Sequence, residues 1–247
     1  MKVRLCFVTI VIALAWVTPS SAQDAPPPPP PPPAFEGTAE FSFVGTSGNS
    51  STQTLGTGSS LTFRRAGWKV TSKASFVRNK DRDLVKAQSF GLATTAGRAL
   101  SEWLSVVGRH EYQRDRFAGI QHRNTIDVGV SMDAVESTAH TLTVNAGVGY
   151  ASEQRLSNRD LSTAIGTAGL DYTWVISESA TLENSVETEV SLQNSADRRL
   201  NNVASLSAKL NSTFSLKVKH TTRWVKSPVP GFRKTDTITA IALVAKF

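Results

Sequence analysis

From Phe35 to Phe247 the chain alternates between apolar and polar residues, the period-two signature of β-strands. In the clearest stretch, Phe214, Leu216, Val218 and Trp224 oppose Ser215, Lys217, Lys219, Thr221 and Arg223. A second sets Leu182, Val186, Val190 and Leu192 against Glu183, Glu187, Glu189 and Gln193. A third sets Leu104, Val106, Gly108 and Tyr112 against Ser105, Arg109, Glu111 and Gln113, and the first sets Phe35, Phe41 and Phe43 against Glu36, Glu40 and Ser42. No stretch shows a helical period. The pattern predicts about twelve strands, near 35–46, 52–64, 68–78, 87–97, 102–114, 122–133, 139–153, 160–175, 180–193, 202–211, 213–226 and 235–247. The connections alternate in kind. Those at Arg65-Ala66-Gly67, Gly97-Arg98-Ala99, Ala134-Val135-Glu136, Ile176-Ser177-Glu178 and Asn211-Ser212 are short, whereas those around Lys80, Phe117, Leu156, Arg198 and Pro228 are longer and charged.

A soluble β-sandwich shares this period. Three features favour a barrel that crosses a membrane. The strands are long, where sandwich strands run to about five or six residues. The polar face carries charges within the strands, not only at their ends. Trp68, Tyr112, Tyr150, Tyr172, Trp174 and Trp224 fall near strand ends, where aromatic girdles belong. The expected fold is all-β: a transmembrane antiparallel β-barrel of about 12 strands.

The last strand places Ile241, Leu243, Ala245 and Phe247 on one side. A closing aromatic on an amphipathic strand is similar to the signal read by the barrel assembly machinery of bacterial outer membranes, so Phe247 is a candidate assembly signal. The start agrees. Lys2 and Arg4 precede an apolar run from Leu5 to Val17, too short to span a bilayer as a helix, and Ser20-Ser21-Ala22 supplies small residues for cleavage. Residues 1–22 read as a signal peptide, 23–34 as a proline-rich periplasmic linker, and 35–247 as the barrel. The unbroken run Pro26–Pro33 predicts a stiff polyproline II spacer. The single cysteine, Cys6, lies in the signal, so no disulfide framework is expected.

Charge refines the expectation. The formal net charge of +7 falls to +5 without Lys2 and Arg4. Much of the basic excess falls in the expected loops, at Arg78, Lys80, Arg82, Lys86, Arg114, Arg116, Arg123, Arg155, Arg159, Arg198, Arg199, Arg233 and Lys234. Arginine clamps phosphate, so outer membrane lipid and lipopolysaccharide are the expected partners there. Attraction of anionic solutes to a pore mouth is the other reading. No nucleic-acid partner is expected.

If the apolar face meets lipid, the polar face lines the lumen. Its acids are Glu36, Glu40, Glu111, Asp127, Glu153, Asp171, Glu183, Glu187 and Glu189. Its bases are Arg64, Lys69, Lys73, Arg109, Lys209, Lys217, Lys219 and Arg223. The ninth strand is acidic and the tenth and eleventh are basic, so neighbouring strands are expected to pair their charges. Two readings follow: a salt-bridged plug, or a narrow aqueous channel with a transverse field. Catalysis finds little support. None of His110, His122, His140 and His220 has a serine two residues on, and only His122 has loop acids (Asp81, Asp83, Asp115) to gather with on one rim. No metal-ligand spacing is visible, and no cofactor is expected.

The motifs Gly48-Asn49-Ser50-Ser51-Thr52, Trp68, and Gly231-Phe232-Arg233-Lys234-Thr235-Asp236-Thr237 before the final strand carry a family resemblance. On them, about residues 35 to 247 resemble the salt-induced outer membrane protein family, a domain family of unknown function. The resemblance implies location in a Gram-negative outer membrane and a link to ionic stress, and it implies no catalytic residues. The function expected is a narrow, porin-like channel for small hydrophilic or charged solutes. A closed structural barrel binding lipopolysaccharide or an envelope partner is the alternative, and an outer-membrane hydrolase comes third.

Overall fold

The computed structural model describes residues 32–46, 52–81, 84–115, 118–156, 160–194 and 197–247. The expected signal peptide and proline run lie outside the described residues, save Pro32 and Pro33. The chain divides into units 1–32 and 33–247, and the second is described by itself.

That unit is a closed antiparallel barrel of twelve strands: β1(Phe35–Thr46), β2(Thr52–Arg65), β3(Trp68–Asp81), β4(Leu84–Ala99), β5(Leu104–Asp115), β6(Ile120–Glu136), β7(His140–Arg155), β8(Leu161–Val175), β9(Ala180–Ser191), β10(Arg198–Lys209), β11(Phe214–Val225) and β12(Thr235–Lys246). Each strand pairs with its neighbours in sequence, and β1 closes on β12. Closure pairs the two edges of the sheet along Thr38–Phe41 of β1 and Leu243–Lys246 of β12.

The barrel is polar inside and apolar outside. Phe41, Phe43, Leu61, Phe63, Ile126, Val128, Leu170, Leu206, Leu216, Val218, Ile241 and Leu243 are exposed, while Arg123, Asp127 and Glu153 are buried. A sandwich would bury the first set, so the burial pattern excludes that alternative. Ring residues mark both margins of the outer wall. At the short-turn end, Arg98 stacks over Trp68, and His140 hydrogen-bonds the Tyr172 hydroxyl at 2.8 Å while stacking on Trp174. Nearer the other end stand Phe43, Phe90, Tyr112, Tyr150 and Trp224.

Strand boundaries differ from the sequence expectation mainly at the loop side. The expected short turns at 97–99 and 134–136 are still strand, and the chain reverses at 100–103 and 137–139 instead. Strands β3, β4, β6 and β10 run further into the segments expected as long charged loops, so that β3 and β4 are separated by only two residues. Pairing continues past the apolar stretch because charged residues extend a ladder as well as apolar ones do. Bulges between Asn79 and Lys80, Gln113 and Asp115, Ile120 and His122, and Asp133 and Val135 take up the register changes. Close approach of β6 and β7 requires glycine. A Cβ on Gly129 or Gly149 would collide with backbone of the facing strand. The β2–β3 hairpin turns on Ala66 and Gly67, both with positive φ (49° and 77°), which suits the strand twist of a two-residue connection.

Candidate functional site

The site is the barrel interior. The register places Arg64, Lys69, Lys73, Arg109, Glu111, Asp171, Glu183, Glu187, Glu189, Lys217, Lys219 and Arg223 on the face opposite the exposed apolar residues. Eight of these twelve enter ion pairs, and the pairs fall into tiers. Near the short-turn end, Arg64 meets Glu36 at 3.0 Å, and Glu40 receives both Lys217 and Lys219 at 2.9 Å. Glu183 accepts from Ser205 at 3.1 Å and lies 3.7 Å from Lys217. At mid-height, Arg109 pairs with Asp127 at 2.9 Å and with Glu187.

The loop-side tier is the most buried. Glu153, 1% exposed, accepts from Arg123 at 2.8 Å, Arg155 at 2.6 Å and Arg199 at 2.7 Å. Arg123 also donates to Glu189. These contacts run from β6 and β7 to β9 and β10. Arg223 on β11 lies 3.6 Å from Asp115 on β5, six strands away in a ring of twelve, so this contact spans the full width of the interior. Above it the β11–β12 connection crosses the mouth. Val229-Pro230-Gly231-Phe232 closes a turn (Phe232 N to Val229 O, 3.0 Å), with Gly231 at φ 89°. Its Val229 and Phe232 press on Gly119 of the opposite β5–β6 connection, where no Cβ fits, and Val229 and Ile120 are both buried.

Two expectations are corrected here. Arg78, Lys80, Lys86, Arg114, Arg123, Arg155, Arg198 and Arg199 are not loop residues: they lie within strands, and Arg123, Arg155 and Arg199 make the buried tier. The signal was parity, since counting back by twos from Asp127 reaches Arg123, and forward from Glu153 reaches Arg155. The partners also differ. The acids of β9 pair mainly with arginines of β5, β6 and β10, and the lysines of β11 pair chiefly with Glu40 of β1. Side chains reach across the interior as well as along the sheet, which sequence order does not show.

The other four interior charges, Lys69, Lys73, Glu111 and Asp171, make no ion pair among the described residues. Asp171 holds Asn145 at 2.9 Å and Ser185 at 2.6 Å and stays exposed. Lys69, Lys73 and Ser75 on β3 are exposed although they face inward. The β1–β4 wall around them is lined by small groups: Ser42, Gly56, Gly58, Ser60, Thr62, Thr71, Gly91 and Thr95. The interior therefore has a braced side, β5–β11, and a wetter side, β1–β4. Among the described residues no His, Cys, Asp and Glu cluster could hold a metal ion.

Comparison with known proteins supplies the affiliation. The family described as "Protein of unknown function, DUF481" matches residues 39–247. The chain belongs to the DUF481 family. No curated protein sequence matches it. Among solved structures, this DUF481 barrel is similar to the translocator domain of autotransporter NalP from Neisseria meningitidis, at 13% identity and a TM-score of 0.49, covering 89% of this chain and 90% of that one. It is also similar to the NanC porin (12% identity, TM-score 0.49, 86% and 98% covered) and to an anion-selective porin from Comamonas acidovorans (9% identity, TM-score 0.42, 86% and 98% covered). Likenesses this distant carry no information about what the DUF481 barrel transports or binds.

Proposed function

We propose that this DUF481 barrel sits in the outer membrane of a Gram-negative bacterium and forms a narrow, eccentric channel for small hydrophilic or charged solutes. The apolar outer wall between two aromatic margins supports membrane insertion. The observation that carries the channel is the exposure of Lys73 and Ser75, inward-facing residues in the interior of β3. Open space stands beside them, and the small residues Ser42, Gly56, Ser89 and Gly91 continue the lining toward the loops. The ion pairs of β5–β11 narrow the rest. A barrel of this size leaves an opening unless side chains fill it.

The second reading is a closed structural barrel. The buried loop-side tier and the Val229–Phe232 crossing favour it. Single-channel recording of the purified protein in planar bilayers separates the two. Stable conductance whose ion preference moves toward cations in Lys69→Glu/Lys73→Glu supports the channel. A folded, heat-modifiable protein that never conducts leaves the structural barrel.

In the same proposal residues 1–22 direct export, 23–34 space the barrel from the N-terminus, Phe247 presents the strand read by the barrel assembly machinery, and the basic loop rim contacts lipopolysaccharide. The link to ionic stress belongs here too, and protein abundance followed through a salt upshift tests it.

A further inference from the structure

The ring closes unevenly. Each ladder other than β1–β12 pairs eleven residues or more, but β1 and β12 register only over Thr38–Phe41 with Leu243–Lys246. Two further bonds, Gly37 N to Phe247 O at 2.8 Å and Phe247 N to Gly37 O at 3.0 Å, extend this to the short-turn rim. Above Phe41, β1 keeps its pairing with β2, and β12 keeps its pairing with β11. No registered pair joins them there among the described residues. Among the described residues the loop-side half of the wall therefore carries a slot flanked by backbone groups with no registered partner across the seam.

Chemistry at the slot differs from that elsewhere in the interior. The inward row of β12 is Ile238, Ala240, Ala242 and Val244, and its outward row includes Ile241 and Leu243. Along the slot the outward row runs Thr235, Thr237, Thr239 and Ile241. The inward row beyond Asp236 is apolar, whereas the inward row of β11 beside it is Ser215, Lys217, Lys219, Thr221 and Arg223. A polar solute gains nothing from this row, but a hydrocarbon chain does. Glu40 on β1 reaches over β12 to Lys217 and Lys219 on β11, with both contacts at 2.9 Å. Beneath this clasp Ala242 and Val244 are 4% and 6% exposed.

We propose that the β1–β12 seam is a lateral portal through which the hydrocarbon chain of an anionic amphiphile passes between the barrel interior and the membrane. The clasp of Glu40 on Lys217 and Lys219 holds the portal shut. Both ammonium groups meet Glu40 at 2.9 Å, and Lys217 also lies 3.7 Å from Glu183, so an incoming carboxylate or phosphate head group competes with Glu40 for them and releases β1. The apolar row then receives the chain, and polar atoms of the head group meet the open backbone edge. This goes beyond a path for hydrophilic solutes along the barrel axis and does not depend on one.

The test uses site-directed fluorescence, which is clean because the only cysteine is Cys6 in the expected signal. Full-length protein carrying Cys6→Ser and Ile238→Cys, labelled with an environment-sensitive dye, is reconstituted in phosphatidylcholine vesicles. Ser89→Cys, which faces inward on β4, is the reference on a fully paired wall. Two chain-nitroxide quenchers are added in separate arms, doxyl-stearic acid and doxyl-phosphatidylglycerol, and heat-modifiable migration certifies each variant as folded. The portal predicts several-fold stronger quenching at 238 than at 89, increased further by Glu40→Gln. Quenching in one arm alone identifies fatty carboxylate or phospholipid as the source. Ala240→Cys on the same row serves if Ile238→Cys does not fold. Equal quenching at the two walls overturns the proposal. So does efficient disulfide cross-linking of Thr239→Cys between barrels, because a second copy would then fill the open edge by strand addition.

Discussion

Removing the Glu153 carboxylate tests whether the loop-side tier is a true low-dielectric brace. Three guanidiniums, of Arg123, Arg155 and Arg199, converge on this one acid, which is 1% exposed. In Glu153→Gln they keep Glu189 as the acid within reach, at Arg123 and Arg199. Breaking a buried pair by deleting one partner costs about 3–5 kcal/mol, because the remaining charge stays desolvated. Glu36→Gln removes an acid of the same type from the Arg64 pair, where both side chains are a quarter to a third exposed. That loss should be no more than about 1 kcal/mol. With a urea m-value of about 2 kcal/mol/M, the midpoint of unfolding in detergent should fall by about 2 M in the first variant and barely move in the second. Arg199→Met added to Glu153→Gln should recover part of the loss, since a buried apolar side chain replaces an uncompensated charge. If Glu153→Gln shifts the midpoint no more than Glu36→Gln, water reaches the tier and the brace does not exist.

Other outcomes follow from particular contacts. Shortening the β11–β12 connection by removing 228–232 should raise single-channel conductance several-fold, since this segment crosses the mouth to Gly119, and unchanged conductance would show that the crossing obstructs nothing. Gly129→Val should abolish the heat-modifiable folded band because its Cβ has no space against β7, whereas Gly166→Ala, whose Cβ would sit 3.5 Å from Leu192, should fold normally. Ser75→Trp on the β1–β4 wall should lower conductance without changing the unfolding free energy by more than about 0.5 kcal/mol, the range for sites away from packed features. Deleting Phe247, whose ring covers Gly37 and whose backbone makes two seam bonds, should reduce the yield of assembled barrel more than any single outer-wall substitution.

The barrel was legible because alternation is a local property. Phe214 to Trp224 read as a strand without any knowledge of neighbours, and the register sets Lys217, Lys219 and Arg223 opposite its exposed apolar residues. The ends of the strands were not legible, because the rule that stops a strand at charged residues fails where the lining itself is charged. Arg199 falls outside the strand expected at 202–211, and its pairing with Glu189 of β9 makes it interior. The partner choices were illegible for a different reason. Arg109 finds Glu187 from four strands away, a distance set by the diameter of the ring and invisible in one dimension. The incomplete β1–β12 ladder gave no sequence signal beyond the small residues of the inward β12 row.

The unequal distribution of ion pairs around the ring has a mechanical consequence. Contacts that cross the interior join β5, β6 and β7 to β9, β10 and β11, so that side cannot widen without breaking buried charge pairs. On the opposite side, β1 to β4 are held by their ladders and by pairs at the margins, Glu36 with Arg64 and Glu40 with the lysines of β11. The wetter lining and the short ladder both belong to this second side. Charge reversal should therefore separate two properties by location. On the braced side, as at Arg123, it should lower stability, because the partners are desolvated. On the other side, as at Lys73, it should alter ion preference with little loss of stability, because that ammonium is exposed and makes no ion pair. Any opening of the wall is then confined to the seam, where the strands share the fewest backbone bonds and one carboxylate on β1 reaches the two lysines of β11.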